Sequence, residues 1–209
     1  MIECPIRGTS MNKNDLRYQK TEDNLKAAYL SLINEKECYT ITVKEICQRA
    51  RCSRNTFYLH YDTKDELYHE VITTILDSLA AAFEPKAATL SQISQSHNRL
   101  YTDAIIDSIA KHKKAITALT SKDKGLFLKL CTDTIFEKCL TGSRSLTQDR
   151  FTSASYLYTS YLASAITGFI FAWLKQPDIS DSQAKNLLYD IHKKTIDSCH
   201  RILQQKADN

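Results

Sequence analysis

Three polar side chains that can hydrogen-bond to nucleic acid, Arg54, Asn55 and Tyr58, lie close together in the segment SRNTFYLHY. A guanidinium, an amide and a phenol can each bond to base edges or to phosphates. Helical spacing places an apolar set on the opposite side of the same segment, consisting of Cys52, Phe57 and Tyr61. One side can therefore pack in a domain while the other enters a DNA major groove, which is what a recognition helix needs.

The elements that must position this helix are marked by their N-caps. Thr42 with Glu45, and Thr63 with Glu66, each have the spacing of a capping box at the start of a helix. Ser53 suits the N-cap of the helix between them. After Thr42 the apolar side chains follow an i, i+3, i+4, i+7 pattern, namely Val43, Ile46, Cys47 and Ala50. The sequence thus predicts two short helices, a tight turn and the start of a third helix, the order of a helix-turn-helix.

Positive charge exceeds negative charge near the predicted helix-turn-helix, but not over the N-terminal region as a whole. The whole chain has 28 basic and 24 acidic residues, and residues 1–70 hold eleven of each. Within residues 42–64 there are two acidic residues against five basic ones, which are Lys44, Arg49, Arg51, Arg54 and Lys64. Such a local excess is typical of a groove-binding surface, although a solvated charged face would have the same composition.

Composition predicts an all-α protein in a reducing compartment. Four Gly and three Pro among 209 residues leave few tight turns for a β-rich fold. The seven cysteines are odd in number and scattered, with neither a C-x-x-C pair nor a zinc-ligand spacing, so we expect structural thiols in a cytoplasmic protein. The first sixteen residues are polar and do not resemble a signal peptide. No metal site or cofactor is predicted.

The chain is predicted to have a tail and two domains. Residues 1–16 are interpreted as a flexible tail, in which Met11 is an alternative natural start. Residues 17–66 are predicted to form the helix-turn-helix DNA-binding domain. Residues 67–209 are predicted to form a helical regulatory and dimerisation domain.

Further helices follow from apolar periodicity. They are predicted near residues 21–34, 63–83, 96–112, 113–120, 124–141, 149–175 and 181–205. Pro85 is expected to end the second of these, and Gly142 and Pro177 are expected to break the chain between later ones. Ser180 with Gln183 is a further capping box.

Residues 153–174 contain no charged side chain and are long enough to span a bilayer. Six Ser or Thr and three Tyr favour a helix buried in the protein instead. Small side chains recur at every fourth position, at Ser160, Ser164, Gly168 and Ala172. The last helix offers a matching face of Leu187, Leu188, Ile191, Thr195, Cys199 and Ile202. Together the helices near 149–175 and 181–205 predict a homodimer through a four-helix bundle, the alternative being an internal helix of a monomer.

Residues 20–70 resemble the TetR family of transcriptional regulators. The resemblance consists of an amphipathic first helix followed by T-x-x-E-I, S-R-x-T-F-Y-x-H-Y and K-D-E-L in that order. The stretch ASAITGFIFAWLKQPDISDSQA is also similar to the C-terminal part of one TetR subclass. The resemblance implies an all-helical homodimer that binds a palindromic operator in double-stranded DNA. It also implies a repressor that a small-molecule effector releases from that DNA.

The resemblance also implies which residues contact DNA. They are Thr42, Lys44, Arg54, Asn55, Thr56, Tyr58, His60 and Lys64. Thr42 and Lys64 would bind phosphates at helix N-termini, where anions are favoured. Arg54 is the best candidate for a guanine, because its two N–H groups match O6 and N7. Tyr58 is expected on a phosphate, and for His60 a packing or solvent-facing position is a nearly equal alternative.

One residue departs from the family pattern. Gly is usual in this family at the position of Arg51, in a turn that is often left-handed. A non-Gly residue there costs about 1 kcal/mol, and Arg51 would add a phosphate contact in return.

An enzyme and a co-regulator without DNA contacts are the two other functional classes. The sequence has no G-x-S-x-G, no H-E-x-x-H and no P-loop, and its six histidines form no triad or ligand pattern, so an enzyme is not expected. A co-regulator of the same fold that acts through protein contacts alone is the alternative function. The combined presence of the polar residues in the predicted interface argues against it.

Overall fold

The computed structural model describes residues 16–84, 95–147 and 151–205, and within these ranges all regular structure is helical. The elements are α1 (Leu16–Glu35), a short 3-10 helix (Cys38–Thr40), α2 (Val43–Ala50), α3 (Arg54–His60), α4 (Lys64–Ala82), α5 (Gln95–Lys111), α6 (Lys113–Lys122), α7 (Leu126–Thr147), α8 (Ser153–Trp173) and α9 (Asp181–Gln205). The all-α prediction is confirmed. The chain divides into two compact units, Met1–Val71 and Ile72–Asn209.

The first unit is built around three consecutive helices. α1 packs on α2, and α2 packs on α3. The fully buried side chains at the centre of this unit are Leu25, Ile33, Ile41, Ile46, Phe57 and Leu67. α1 begins at Leu16, five residues earlier than predicted, and its extra turn contains the buried Tyr18. Burial of this tyrosine stabilises the first turn of α1, which the local sequence pattern did not predict. The rest of the predicted tail, residues 1–15, lies outside the described residues.

The turn between α2 and α3 is left-handed at Arg51, as the resemblance implied. Arg51 has φ 57° and ψ 43°. The amide of Cys52 donates to the carbonyl of Cys47 at 3.0 Å, and the amide of Arg51 donates to the carbonyl of Gln48 at 3.3 Å. These two bonds define a Schellman motif, in which the third residue from the end and the second residue beyond it make an apolar contact. Here the two cysteines occupy those positions.

Two predicted caps further along the chain have formed. The hydroxyl of Thr63 accepts a hydrogen bond from the amide of Glu66 at 3.1 Å. The Glu66 carboxylate returns to the amide of Asp62 at 2.7 Å instead of to Thr63, so this box is displaced by one residue. At α9 the reciprocal bonds between Ser180 and Gln183 are both present, at 2.9 and 3.2 Å.

The second unit is a set of packed helices. α5 packs on α9 and α6, and α7 packs on α6 and α8, while α8 also packs on α9. Its fully buried core includes Ile105, Ile106, Ile109, Leu119, Phe127, Cys131, Ile135 and Ile170. The predicted break at Gly142 is wrong, because this glycine lies inside α7. A glycine within a helix costs about 1 kcal/mol, which the packing of α7 along α8 outweighs. Pro85, predicted to end α4, lies outside the described residues.

The uncharged helix α8 is buried on one side only. Ile166 and Ile170 are buried, whereas Leu157 and Tyr161 are more than 60% exposed. The predicted buried core helix is therefore found on one face of α8, while its opposite face is exposed. None of the helices in the described ranges has both the length and the apolar character that a membrane span requires.

The conformation of Arg51 leads to a stability prediction. Arg51→Gly should raise the stability by up to about 1 kcal/mol, because glycine removes the left-handed strain but adds unfolded-state entropy. Arg51→Ala keeps the strain and should be neutral. Arg51→Val should lower the melting temperature, since a β-branched side chain is least compatible with positive φ. Thermal unfolding of the four proteins tests the order, and a valine variant as stable as the glycine variant would contradict it.

Candidate DNA-binding interface

Helix α3 is fixed at both ends and by one inward side chain. The hydroxyl of Ser53 accepts a hydrogen bond from the amide of Thr56 at 3.0 Å, which confirms the predicted N-cap. Phe57 is fully buried, and Tyr61, directly after the helix, is 2% exposed. The Schellman turn before α3 and the buried Phe57 together fix the rotation of the helix about its own axis. The direction of its outer side chains is thereby determined.

The outer side of α3 is formed by Arg54, Asn55, Tyr58 and Leu59. All four are exposed, Tyr58 by 54% and Leu59 by 60%. At 100° per residue they occupy an arc of about 140°, while Phe57 lies on the opposite side. The three polar members are those that the sequence predicted. Leu59 was not predicted, although its position four residues after Asn55 and two after Phe57 was a usable signal.

Thr56 and His60 are the two half-buried residues of α3. Thr56 is half-buried, and its hydroxyl lies 2.8 Å from that of Ser53, so it completes the N-cap. The His60 ring stacks on Tyr18 of α1, with ring centroids 3.9 Å apart. Burial lowers the pKa of His60 and outweighs the opposing effect of Glu22 and Glu70. The structure thus gives His60 the packing position that the sequence had left as the alternative to a DNA contact.

The N-terminus of α2 carries the complete capping box that was predicted. The amide of Thr42 donates to Glu45 Oε2 at 2.9 Å, and the amide of Glu45 donates to Thr42 Oγ1 at 3.3 Å. Lys36 donates to the other carboxylate oxygen of Glu45 at 2.5 Å. Hydrogen bonds from Lys36, and then from Thr42, lower the pKa of Glu45 to about 2. A fixed negative charge therefore lies beside the predicted phosphate site at Thr42, so cations must offset it.

Lys64 supplies one of those cations. Its ammonium donates to the carbonyls of Tyr39 and Ile41, both at 2.9 Å. Because Ile41 directly precedes Thr42, the two predicted phosphate-binding residues are brought together. An ammonium has three N–H donors, so one remains after these two bonds. Lys64 thus holds the start of α4 against the segment before α2 and keeps a donor that can reach an anion.

The basic residues of the segment divide into two groups. Arg49 forms a two-pronged ion pair with Glu35 of α1, at 2.8 and 2.9 Å, and also donates to Ser31. It joins α1 to α2 and is committed within the domain. Lys44, Arg51 and Arg54 are exposed. Arg49 is therefore held by an acidic partner, whereas Arg54 belongs to the outer arc of α3 and Arg51 to the turn before it.

Comparison with known proteins identifies the family. Residues 25–71 match the sequence model of the family described as bacterial regulatory proteins, tetR family. These residues contain the whole of α2, α3 and the turn between them. Residues 25–71 therefore form a TetR-type DNA-binding domain. Regulators with this domain are DNA-binding transcription factors, so the matched segment is a DNA-binding helix-turn-helix.

A relative and two solved structures illustrate how far the similarity extends. The uncharacterized HTH-type transcriptional regulator YxbF of Bacillus subtilis (strain 168) is 22% identical over 104 residues, which are 50% of this chain but 27% of that protein. The chain thus spans about a quarter of the relative's length. A tetR-family regulator from Streptomyces coelicolor shares the fold with a TM-score of 0.62 at 16% identity, covering 90% of this chain and 89% of that chain.

A TetR regulator from Streptococcus agalactiae 2603V shares the fold with a TM-score of 0.57 at 20% identity, covering 83% of this chain and 93% of that chain. At such identities these two likenesses show a common fold. They cover most of this chain, so the helices after Val71 also share their fold with these two proteins.

Proposed function

We propose that this TetR-family regulator binds a palindromic operator as a homodimer, represses transcription there and is released by a small-molecule effector. The DNA-binding domain is residues 17–66, and residues 67–209 form the regulatory and dimerisation domain. The observation that carries the proposal is the outer arc of α3, whose guanidinium, amide and phenol are exposed while Phe57 anchors the helix from within. Because its proposed target is duplex DNA, we place the protein in the cytoplasm.

The proposed docking puts α3 of each protomer in a major groove. Arg54 and Asn55, in the first turn of α3, reach base edges, as the first residues of a recognition helix do. Tyr58 lies one turn later and contacts the backbone. Thr42 and Lys64 bind one phosphate from the adjoining helix starts, and Lys44 on α2 adds a further positive charge. Phosphate contacts of this kind fix register, whereas the two base contacts supply sequence preference.

Substitution of Arg54 and of Lys64 should have different effects. Arg54→Ala should cost about 1–3 kcal/mol of operator binding and relax the preference at one base pair per half-site. Lys64→Ala should weaken binding to all duplexes by the same factor, because one phosphate contact is lost. The slope of log K against log salt concentration should become shallower by about one. Both are measured by fluorescence anisotropy on operator and random duplexes at several salt concentrations.

Lys114→Ala is a matched charge control, since Lys114 is exposed on α6 in the second unit. Thermal unfolding of Lys64→Ala separates a lost phosphate contact from a loosened attachment to Tyr39 and Ile41. Unchanged operator affinity in both the Arg54 and the Lys64 variant would refute this docking. The co-regulator alternative would then stand.

The homodimer is supported by exposed apolar side chains on two neighbouring helices. On α8, Leu157 and Tyr161 are 69% and 62% exposed, and the small residues predicted from the sequence continue the same side, with Ser164, Gly168 and Ala172 all exposed. On α9, which packs on α8, Leu187 and Ile191 are 46% and 57% exposed. Exposed apolar side chains on two packed helices are typical of a protein interface. A second copy of the same two helices would cover it as a four-helix bundle.

Gly168 provides a clean test of this interface. A Cβ built at Gly168 meets no atom within 4 Å, so Gly168→Leu should leave the protomer folded while separating the paired helices. Overpacking of this kind costs typically about 1–3 kcal/mol. Sedimentation velocity over a concentration series should show a dimeric wild type and a weakened dimer in the variant. Gly142→Leu on α7 is the matched control, because its Cβ is also unobstructed. A wild-type monomer at micromolar concentration would end the dimer proposal.

Repression and release are tested together in cells and in solution. Deleting the gene should raise transcription from the promoter of the adjacent gene, and the wild type but not Arg54→Ala should restore the low level.

In a thermal-shift screen of small organic compounds, a compound that stabilises the protein should lower operator affinity by about 5–150-fold, the ordinary range of allosteric coupling. A fall in transcription on deletion would assign an activator, and stabilising compounds that leave operator affinity unchanged would contradict effector release.

A further inference from the structure

Leu59 is the one apolar member of the outer arc of α3. It is 60% exposed, whereas Phe57 on the same helix is fully buried. A large aliphatic side chain in water is unfavourable, and the protomer leaves most of this one uncovered. Its neighbours in the arc are Arg54, Asn55 and Tyr58, all polar. Whatever binds the arc through those polar groups also meets an isobutyl group.

The arc consists of two rows along the helix axis. Arg54 and Tyr58 are four residues apart and form one row, and Asn55 and Leu59 form the other, because residues at i and i+4 lie one above the other on a helix. The first row offers positive charge and a phenol. The second row combines an amide with an aliphatic group.

The second row matches the chemistry of A·T pairs in the major groove. An asparagine amide bonds to N6 and N7 of adenine, and an aliphatic side chain contacts the 5-methyl group of thymine. Four residues of helix rise about 6 Å, while successive base pairs of B-DNA are separated by about 3.4 Å. Leu59 therefore reaches one or two base pairs beyond the position of Asn55.

We propose that Leu59 reads the 5-methyl group of a thymine one or two base pairs from the adenine bound by Asn55. Leu59 is then a specificity-determining residue, since cytosine, adenine and guanine have no methyl group there. The inference rests on the proposed function, because it requires that α3 enters a major groove. Duplex DNA is the occupant because the apolar group is continuous with the polar arc and is accompanied by the exposed cations Lys44, Arg51 and Arg54.

Replacement of thymine by deoxyuridine tests this contact, because it removes the methyl group and leaves base pairing intact. The operator is first selected from random duplexes with the full-length protein, and each thymine of a half-site is then replaced in turn. One replacement should weaken wild-type binding about fourfold, the equivalent of one buried methyl group. Leu59→Ala should bind the thymine and uracil duplexes equally. Leu59→Met, which keeps an aliphatic chain of similar volume, should retain a preference for thymine.

Leu100→Ala is the matched control, because Leu100 is a leucine of nearly equal exposure, 59%, on α5. It should keep the full sensitivity to uracil. A wild type that binds its operator but responds to no thymine replacement, or a Leu59→Ala protein that keeps the response, would overturn the inference and leave the proposed function intact. Failure of the full-length protein to select any duplex would overturn the proposed function and, with it, this contact.

Discussion

The left-handed turn at Arg51 is the constraint on which the DNA-binding unit depends. It ends α2 through two backbone hydrogen bonds and sends the chain back so that Ser53 can cap α3. Only with that reversal does Phe57 point into the core and the row beginning with Arg54 point outward. An arginine in this conformation is strained by about 1 kcal/mol. The strain persists because the turn is over-determined by the Cys47 and Cys52 contact, the cap and the buried phenylalanine.

Positive charge in this unit has two separate uses. Arg49 is tied to Glu35, and Lys36 to Glu45, so these cations hold helices in place. Lys26 likewise bridges Glu22 and Glu70, which joins α1 to α4. Exposed pairs of this kind contribute little stability singly, but together they fix the orientation of the elements around α3. The cations left at the surface can then act on a partner without reorganising the domain.

Features encoded by near neighbours were predictable from the sequence. The capping box at Thr42 and the cap at Ser53 depend on residues within three positions, so a short motif determines them, whereas the left-handed Arg51 was expected from the family resemblance. The position of His60 depends on Tyr18 of α1, and the bonds of Lys64 depend on carbonyls before α2. Such partners are distant in sequence, and no local pattern identifies them. Gly142 illustrates the same limit, because packing of α7 on α8 overrides a helix-breaking preference.

In the proposed homodimer, association through the exposed side of α8 raises the affinity of the outer arc of α3 for DNA. One seven-residue helix presents four outward side chains, and base contacts worth about 1–3 kcal/mol each cannot give a single protomer tight, selective binding. Joining two such helices makes the second contact intramolecular, which multiplies affinity without new chemistry. In a monomer the exposed side of α8 lowers the stability of the protomer, because Gly168 weakens the helix and Leu157 is exposed to water. In the proposed homodimer a second copy covers this side of α8 and removes both costs, while the two α3 helices bind DNA together.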